Sequence, residues 1–188
     1  MIHVEKLDTS FDRKRMLSDL DRILQICHWH PDHRQIGLTQ SLGDNAKEAW
    51  YDATGSLQYV WGNDAVDDHG NLKKQQIVRK ESDFSYTVQE FKDTIFFEII
   101  ETLRSNYRLG RVRLMMSRPK SCLSWHTDSE RRLHIPIITN PGAHLVIENE
   151  ANHLPADGSV YIANTTLYHT AFNAGLEPRV HLVACMLD

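Results

Sequence analysis

The feature that most limits the possible folds of this chain is a change of periodicity near residue 110. After it, apolar and polar residues alternate with a period of two through to residue 186. This alternation is typical of strands that bury one face of a sheet. Between turns rich in Gly, Pro and Asn, the pattern predicts strands at 111–117, 131–138, 144–149, 159–163, 168–173 and 179–186.

Before the change, two segments have the spacing of amphipathic helices. Residues 11–27 follow a cap-type sequence at 8–10, and residues 87–107 open with a capping-box pattern and close at Gly110. Helices first and strands later indicate an antiparallel sheet assembly with helices on its outside. We expect a single domain, residues 1–188, with a helical and irregular N-terminal part (1–110) and a β core (111–188) that contains the functional site.

Three of the predicted strands repeat one arrangement, an apolar face opposite a face of Arg and His. The apolar faces comprise Val112, Leu114, Met116, Leu133, Ile135, Ile137, Val180, Leu182 and Ala184. The opposite faces carry Arg111, Arg113, Arg132, His134, Arg179 and His181. A face that simply meets water usually mixes Thr, Lys, Glu and Ser, so this composition favours a polar barrel interior, with the apolar faces covered by helices.

The segment SWHTDSERRLHIP, residues 124–136, contains the strongest candidates for metal ligands. His126 and Asp128 lie two residues apart, so on an extended chain both side chains point the same way. We expect His169 as the third ligand, because Arg179, ten residues later, could hold a carboxylate close to the metal. Two histidines and one carboxylate form the facial triad of non-haem Fe(II) oxygenases, which leaves positions for a 2-oxo acid and dioxygen.

These motifs resemble those of a known family. HTD followed by RLHIP, and then YHTAFNAGLEPRVHL, is similar to the aspartyl/asparaginyl β-hydroxylase family of Fe(II)/2-oxoglutarate-dependent dioxygenases, over about residues 111–186. The resemblance implies a double-stranded β-helix, a jelly roll of the cupin-like type, with the N-terminal helices packed on its outside. It also implies Fe(II) as cofactor, with 2-oxoglutarate and O2 as cosubstrates.

The same resemblance implies roles for individual residues. His126 and His169 would be iron ligands, and Arg179 would bind the far carboxylate of 2-oxoglutarate. Arg132 and His134 would contact carboxylates of cosubstrate or substrate.

Asp128 departs from the vertebrate aspartyl hydroxylases, which have glycine at this position and lack the acidic ligand. It makes the chain more similar to bacterial relatives, some of which hydroxylate free amino acids such as proline. The implied reaction is hydroxylation of an unactivated C–H bond of an amino acid, either free or as an Asp/Asn-type side chain in a peptide. Succinate and CO2 are the coproducts.

The candidates for substrate contacts are less specific. Arg113 is the best candidate for a substrate carboxylate anchor, and His181 would face the same interior, either as a contact or as a hydrogen-bonded core histidine. Trp61, in the strand-like segment 56–62, could line a substrate mouth or pack in the core. The Asp/Gly-rich segment 63–71 could close over the site or simply connect two elements.

Two other interpretations use the same residues. A cupin-like protein could bind a metal or small molecule without oxygenase activity, and it would have no need of a buried Arg179. A zinc hydrolase is less consistent with the sequence, because no general-base Glu accompanies the ligands as in an HExxH helix. The cluster of His28, His30 and His33 lacks the spacing of a second metal site, and we interpret it as a loop after a helix.

Charge and composition limit the partners and the compartment. With 21 basic and 25 acidic residues the net charge is -4, and no basic run predicts a nucleic-acid surface. Small-molecule or peptide substrates are therefore expected. The three cysteines form no CxxC pair, the N-terminus is too charged for a signal peptide, and no apolar run approaches the roughly 18 residues of a membrane span. We expect a cytoplasmic protein that does not contact membranes.

Overall fold

The computed structural model describes residues 2–42, 48–55, 57, 59–60, 75–76 and 79–187. The helices in these ranges are α1 (Arg13–Ile26) and α2 (Ile95–Arg104), with 3₁₀ turns at Ala49–Tyr51, Glu81–Asp83 and Gln89–Phe91. The strands are β1 (Val4–Ser10), β2 (Gln35–Gly37), β3 (Thr39–Gln40), β4 (Tyr59–Val60), β5 (Gln75–Gln76), β6 (Tyr86–Thr87), β7 (Leu109–Ser117), β8 (Ser121–Cys122), β9 (Arg132–Ile138), β10 (Ala143–Ile147), β11 (Glu150–Asn152), β12 (Ser159–Ala163), β13 (His169–Asn173) and β14 (Arg179–Met186).

Two antiparallel sheets contain most of these strands. The larger has the order β1-β12-β9-β14-β7-β2, and the smaller has the order β11-β10-β13-β8. From β7 onward the chain passes back and forth between them, with β7, β9, β12 and β14 in the larger sheet and β8, β10, β11 and β13 in the smaller. This is a double-stranded β-helix, and the predicted fold class is confirmed.

The apolar faces predicted from the alternation do pack beneath helices. Val112, Leu114, Leu133, Ile135 and Leu182 are each 0% exposed, in one core cluster with α1 and α2. The helices contribute Met16, Leu20, Ile23, Ile95, Phe96, Ile99, Ile100 and Leu103. Each such side chain contributes about 1.5–3 kcal/mol when fully buried, so this layer holds both helices on the outer face of the larger sheet.

The helices are also joined to each other at the start of α2. Asp12 caps α1 by accepting hydrogen bonds from the backbone N–H groups of Lys14 (2.8 Å) and Arg15 (3.3 Å). The cap of α2 comes from another helix, because the carboxylate of Asp19 in α1 accepts from the N–H of Ile95 at 2.6 Å. No helix in the described ranges combines the length and apolar character required to cross a bilayer.

The prediction of one long helix at 87–107 was wrong at its start. Thr87 belongs to β6, which pairs with β3, and the N–H of Val88 donates to the carbonyl of Leu38 at 2.9 Å. These contacts hold the chain in an extended conformation, so α2 begins only at Ile95. Gly110 is the second residue of β7; a Cβ there would lie 2.7 Å from the carbonyl oxygen of Glu81.

The N-terminal part also supplies strands that the pattern did not predict. Residues 8–10, expected to cap α1, belong to β1, which pairs with β12 at one edge of the larger sheet. β2 pairs with β7 at the opposite edge. β1 was missed because it is mostly exposed, and an exposed edge strand needs no apolar alternation.

Candidate active site

The three predicted metal ligands meet at one end of the smaller sheet. His169 begins β13, and His126 forms an antiparallel bridge with it through two reciprocal backbone hydrogen bonds of 3.0 and 2.9 Å. The N–H of Asp128 donates to the carbonyl of Thr165 at 2.8 Å. One ligand atom from each of the three side chains lies within 4.8 Å of the others, close enough for all three to bind one ion.

The hydrogen bonds of both imidazoles favour metal binding through Nε2. Nδ1 of His126 lies 2.7 Å from the carbonyl oxygen of Ser124, and Nδ1 of His169 lies 3.0 Å from that of Leu167. Because a carbonyl only accepts, each Nδ1 donates, which leaves Nε2 as the ring nitrogen available to bind a metal ion. Burial lowers the pKa of His169, which favours the neutral form. The donor set therefore fits a divalent metal ion.

Aromatic residues precede both histidines and lie on the opposite surface of the smaller sheet. Trp125 and Tyr168 stack with their ring centroids 5.2 Å apart. They are 43% and 54% exposed, whereas His169 is 5% exposed. Because side chains alternate along both segments, the two imidazoles face the interior of the barrel, and the rings of Trp125 and Tyr168 face solvent.

A second cluster, from β9 and β14, contains Arg179, His134 and His181, all less than 8% exposed. The guanidinium of Arg179 contacts the imidazole of His181 at 2.9 and 3.0 Å, and Nη1 lies 3.5 Å from Oγ of Ser117. In the described part of the chain, no carboxylate lies within 4.0 Å of it. Arg179 is thus a buried cation without an anionic partner among the described residues.

The charges of this cluster follow from its burial. Burial lowers the pKa of Arg179 to about 10, so the guanidinium remains charged at neutral pH. Burial, together with the charge of Arg179, lowers the pKa of His134 to about 3 and that of His181 well below its ordinary value. Nε2 of His134 has no hydrogen-bond partner among the described residues. One cation beside two neutral imidazoles can bind and orient a carboxylate.

Arg132 lies among carboxylates. Its Nε is 3.1 Å from Oδ2 of Asp128, its Nη2 is 3.3 Å from Oε1 of Glu81, and its Nη1 is 3.7 Å from Oε2 of Glu130. Glu81 also receives two hydrogen bonds of 2.8 Å from Arg111. Burial alone would raise the pKa of Glu81, but Arg111 and Arg132 lower it to about 2. Sequence reasoning missed Glu81, because its partners lie 30 and 51 residues away in the sequence.

Arg113 is a second buried cation without a carboxylate partner in the described ranges. It is 6% exposed and donates through Nη1 to Oε1 of Gln35 at 3.1 Å, while its Nε has no partner there. Burial lowers its pKa to about 9, which still leaves the side chain charged at neutral pH. The predicted anchor is therefore available for an anion.

One cavity connects these groups, except that His181 is absent from the described residues that line it. Its volume is about 900 Å³, and its lining includes the three candidate ligands together with Arg113, Arg132, His134 and Arg179. His33 also lines it, while Nδ1 of His30 accepts from the N–H groups of Asp32 and His33, so the histidine cluster forms a local turn. Trp61 and the segment 63–71 lie outside the described residues.

Comparisons with solved structures agree with the fold. The viral collagen prolyl hydroxylase vCPH from Paramecium Bursaria Chlorella virus-1, solved as a 2OG complex, has a TM-score of 0.54 and 10% identity, with 98% of this chain and 95% of that chain covered. An oxidoreductase of the 2OG-Fe(II) oxygenase family from Burkholderia pseudomallei has a TM-score of 0.51 and 16% identity, with 98% and 84% covered. At such identities the likeness shows the fold alone.

Other comparisons are more limited. The match to AerE from Microcystis aeruginosa covers 42% of this chain and 36% of that chain, with 17% identity and a TM-score of 0.36. No curated protein sequence gives a significant match.

The sequence itself matches a family profile described as "Aspartyl/Asparaginyl beta-hydroxylase" over residues 56–187. This match extends well beyond the segment 111–186 that carries the recognised motifs. It covers more than half of the chain, and we conclude that the protein belongs to the aspartyl/asparaginyl beta-hydroxylase family.

Proposed function

We propose that the protein is an Fe(II)- and 2-oxoglutarate-dependent dioxygenase that hydroxylates an amino acid. The observation that carries this proposal is that one cavity is lined by His126, Asp128 and His169, which are close enough together to form a facial triad, and by a buried cation with no carboxylate partner in the described ranges, Arg179. A metal-binding protein without oxygenase activity has no use for such a cation. Family membership and the fold of the 2OG-Fe(II) oxygenases support the same reaction class.

In this proposal, His126, Asp128 and His169 hold the iron through two Nε2 atoms and one carboxylate oxygen. When bound, Fe(II) and 2-oxoglutarate supply the oxidative chemistry, in which O2 converts a substrate C–H bond to an alcohol and releases succinate and CO2. Arg179 binds the far carboxylate of 2-oxoglutarate through charge-assisted hydrogen bonds. His134, which is neutral and lines the cavity, orients that carboxylate without adding a second charge, and His181 holds the guanidinium of Arg179.

The proposed substrate carries a carboxylate, which Arg113 binds. The Nε of Arg113 is buried and has no hydrogen-bond partner in the described ranges. Burying such a donor costs free energy unless a bound anion accepts a hydrogen bond from it. Because Arg113 and the triad line one cavity, a small acid bound to Arg113 would share that cavity with the metal. A free amino acid satisfies these conditions, and so does the side chain of an Asp residue in a peptide.

The test is an anaerobic absorption titration, in which Fe(II) and then 2-oxoglutarate are added to metal-free protein. We expect the weak visible charge-transfer band of a chelated keto acid in the wild type. In Arg179→Ala, Fe(II) should still bind, but the affinity for 2-oxoglutarate should fall about 100-fold, since removing one partner of a buried charge pair costs several kcal/mol.

Arg118→Ala is the matched control, because Arg118 is an exposed arginine that follows β7 and does not line the cavity. It should retain the wild-type band. Binding of Fe(II) by the wild type without any band would contradict the oxygenase proposal and favour a metal-binding cupin-like protein.

A further inference from the structure

Asp128 differs from the two histidines in how its side chain is held. His169 lies in β13 and His126 bridges to it, but Asp128 lies outside the regular strands and its side chain is 24% exposed. Its backbone is fixed by one hydrogen bond to Thr165, which does not set the orientation of the carboxylate. Another group is therefore needed to direct the carboxylate toward the imidazoles.

Arg132 is the group in contact with that carboxylate. The 3.1 Å contact joins its Nε to Oδ2 of Asp128, the same oxygen that lies 3.9 Å from Nε2 of His169. Arg132 begins β9 and pairs with both neighbouring strands, opposite Ala163 and Cys185. Its position is therefore fixed by the centre of the larger sheet.

Two more carboxylates lie near the guanidinium of Arg132. Glu81 accepts a hydrogen bond from Nη2 at 3.3 Å, whereas Glu130 lies 3.7 Å from Nη1, which has no hydrogen-bond partner among the described residues. Glu81 is itself held by Arg111, whose side chain is 5% exposed. A planar guanidinium between carboxylates has little rotational freedom. Because Arg132 is fixed in the sheet, its contact with Asp128 fixes the orientation of that carboxylate.

We infer that Arg132 is a positioning residue for the metal ligand Asp128, and that it does not serve chiefly as a contact for cosubstrate. This inference rests on the proposed function, because it takes Asp128 to be a ligand. The positioning role differs from the one that the family resemblance implies for Arg132, which is contact with a carboxylate of cosubstrate or substrate. A group that orients a ligating carboxylate affects metal affinity, whereas a cosubstrate contact affects the binding of 2-oxoglutarate.

The experiment compares Arg132→Lys with Arg111→Lys as the matched control. Both substitutions remove a buried guanidinium that pairs with Glu81, but only Arg132 contacts Asp128. Two quantities are measured anaerobically, the Fe(II) dissociation constant by chelator competition and the 2-oxoglutarate dissociation constant at saturating Fe(II).

We expect Arg132→Lys to weaken Fe(II) binding by about 10- to 100-fold, the usual effect of losing a partner of a ligand. The affinity for 2-oxoglutarate at saturating Fe(II) should remain that of the wild type. Arg111→Lys should destabilise the fold to a similar extent in thermal unfolding but weaken Fe(II) binding much less than Arg132→Lys does, because Arg111 reaches Asp128 only through Glu81 and Arg132. Glu81→Gln, which removes one anchor of Arg132, should weaken Fe(II) binding by a smaller factor.

Unchanged Fe(II) affinity in Arg132→Lys would overturn the inference, as would an equal loss of Fe(II) affinity in Arg111→Lys. Weaker binding of 2-oxoglutarate at saturating Fe(II) would overturn it in favour of a cosubstrate contact. Failure of the proposed function is distinguishable, since the wild-type protein itself would then show no Fe(II) binding or no 2-oxoglutarate band.

Discussion

Single residues in this cavity differ mainly in whether their charge already has a partner. Arg111 and Arg132 are paired with Glu81 and Asp128, whereas Arg113 and Arg179 have no carboxylate partner among the described residues. Paired cations maintain the shape of the cavity, and unpaired ones provide sites for anions. The proposed reaction brings two acids into the cavity, the cosubstrate and the substrate. Arg179 and Arg113, which have no carboxylate partner among the described residues, would bind one acid each.

The proposed binding of the substrate carboxylate by Arg113 can be tested with pairs of substrates. Free amino acids are screened for faster succinate formation, and each stimulating acid is compared with its carboxamide, which lacks the negative charge. The wild type should favour the acid roughly 100-fold in kcat/KM, because the amide leaves the buried guanidinium without an anion.

In Arg113→Gln this preference should largely disappear, while binding of Fe(II) and 2-oxoglutarate is unchanged. Arg118→Ala again serves as control. If the carboxamides stimulate succinate formation as well as the acids do, Arg113 does not bind the substrate carboxylate.

At the scale of elements, one buried carboxylate of α1 caps the start of α2. Asp19 is 7% exposed and caps α2 through the N–H of Ile95. Asp19→Ala should lower the free energy of unfolding by about 1–2 kcal/mol, the range measured for loss of a helix cap. Chemical denaturation measures this change, with Asp21→Ala, an exposed site on the same helix, as control.

Asp19→Ala should leave the dissociation constant for Fe(II) unchanged, since α1 and α2 cover the side of the larger sheet away from the cavity. Equal stabilities of the Asp19 and Asp21 variants would show that the cap contributes nothing.

The elements also show how far sequence reasoning extends. Alternation predicted the strands that contain Leu114, Ile135 and Leu182, because a strand between a helical layer and a polar interior must alternate. The clustering of His126, Asp128 and His169 followed from local spacing and one motif. The salt bridges of Glu81 could not be predicted, because no periodicity relates a 3₁₀ turn to two strands far along the chain.

At the scale of the whole molecule, Glu81 joins the segment before α2 to the interior of the barrel. Its pKa is about 2 in the folded protein, against an ordinary value of 4.5. Its contribution to stability is therefore complete above pH 4.5 and is lost as the pH falls toward 2. The shift corresponds to about 3 kcal/mol.

We accordingly expect Glu81→Gln to be less stable than the wild type by about 3 kcal/mol at pH 7, with a difference that shrinks between pH 5 and pH 2. Denaturant unfolding at several pH values measures it. Glu98→Gln is the control, because Glu98 forms an exposed ion pair with Arg15 and should change stability little at any pH. A difference that stays constant down to pH 2 would contradict the assigned pKa.

The antiparallel bridge between His126 and His169 makes the site vulnerable to a particular class of genetic change. Each histidine follows an aromatic residue, Trp125 or Tyr168, that faces the other surface. Gain or loss of a single codon in either segment would carry an aromatic ring into the cavity and an imidazole out of it. During evolution, substitutions around the ligands can accumulate gradually, whereas one insertion or deletion in these segments would disrupt the candidate metal site in a single step.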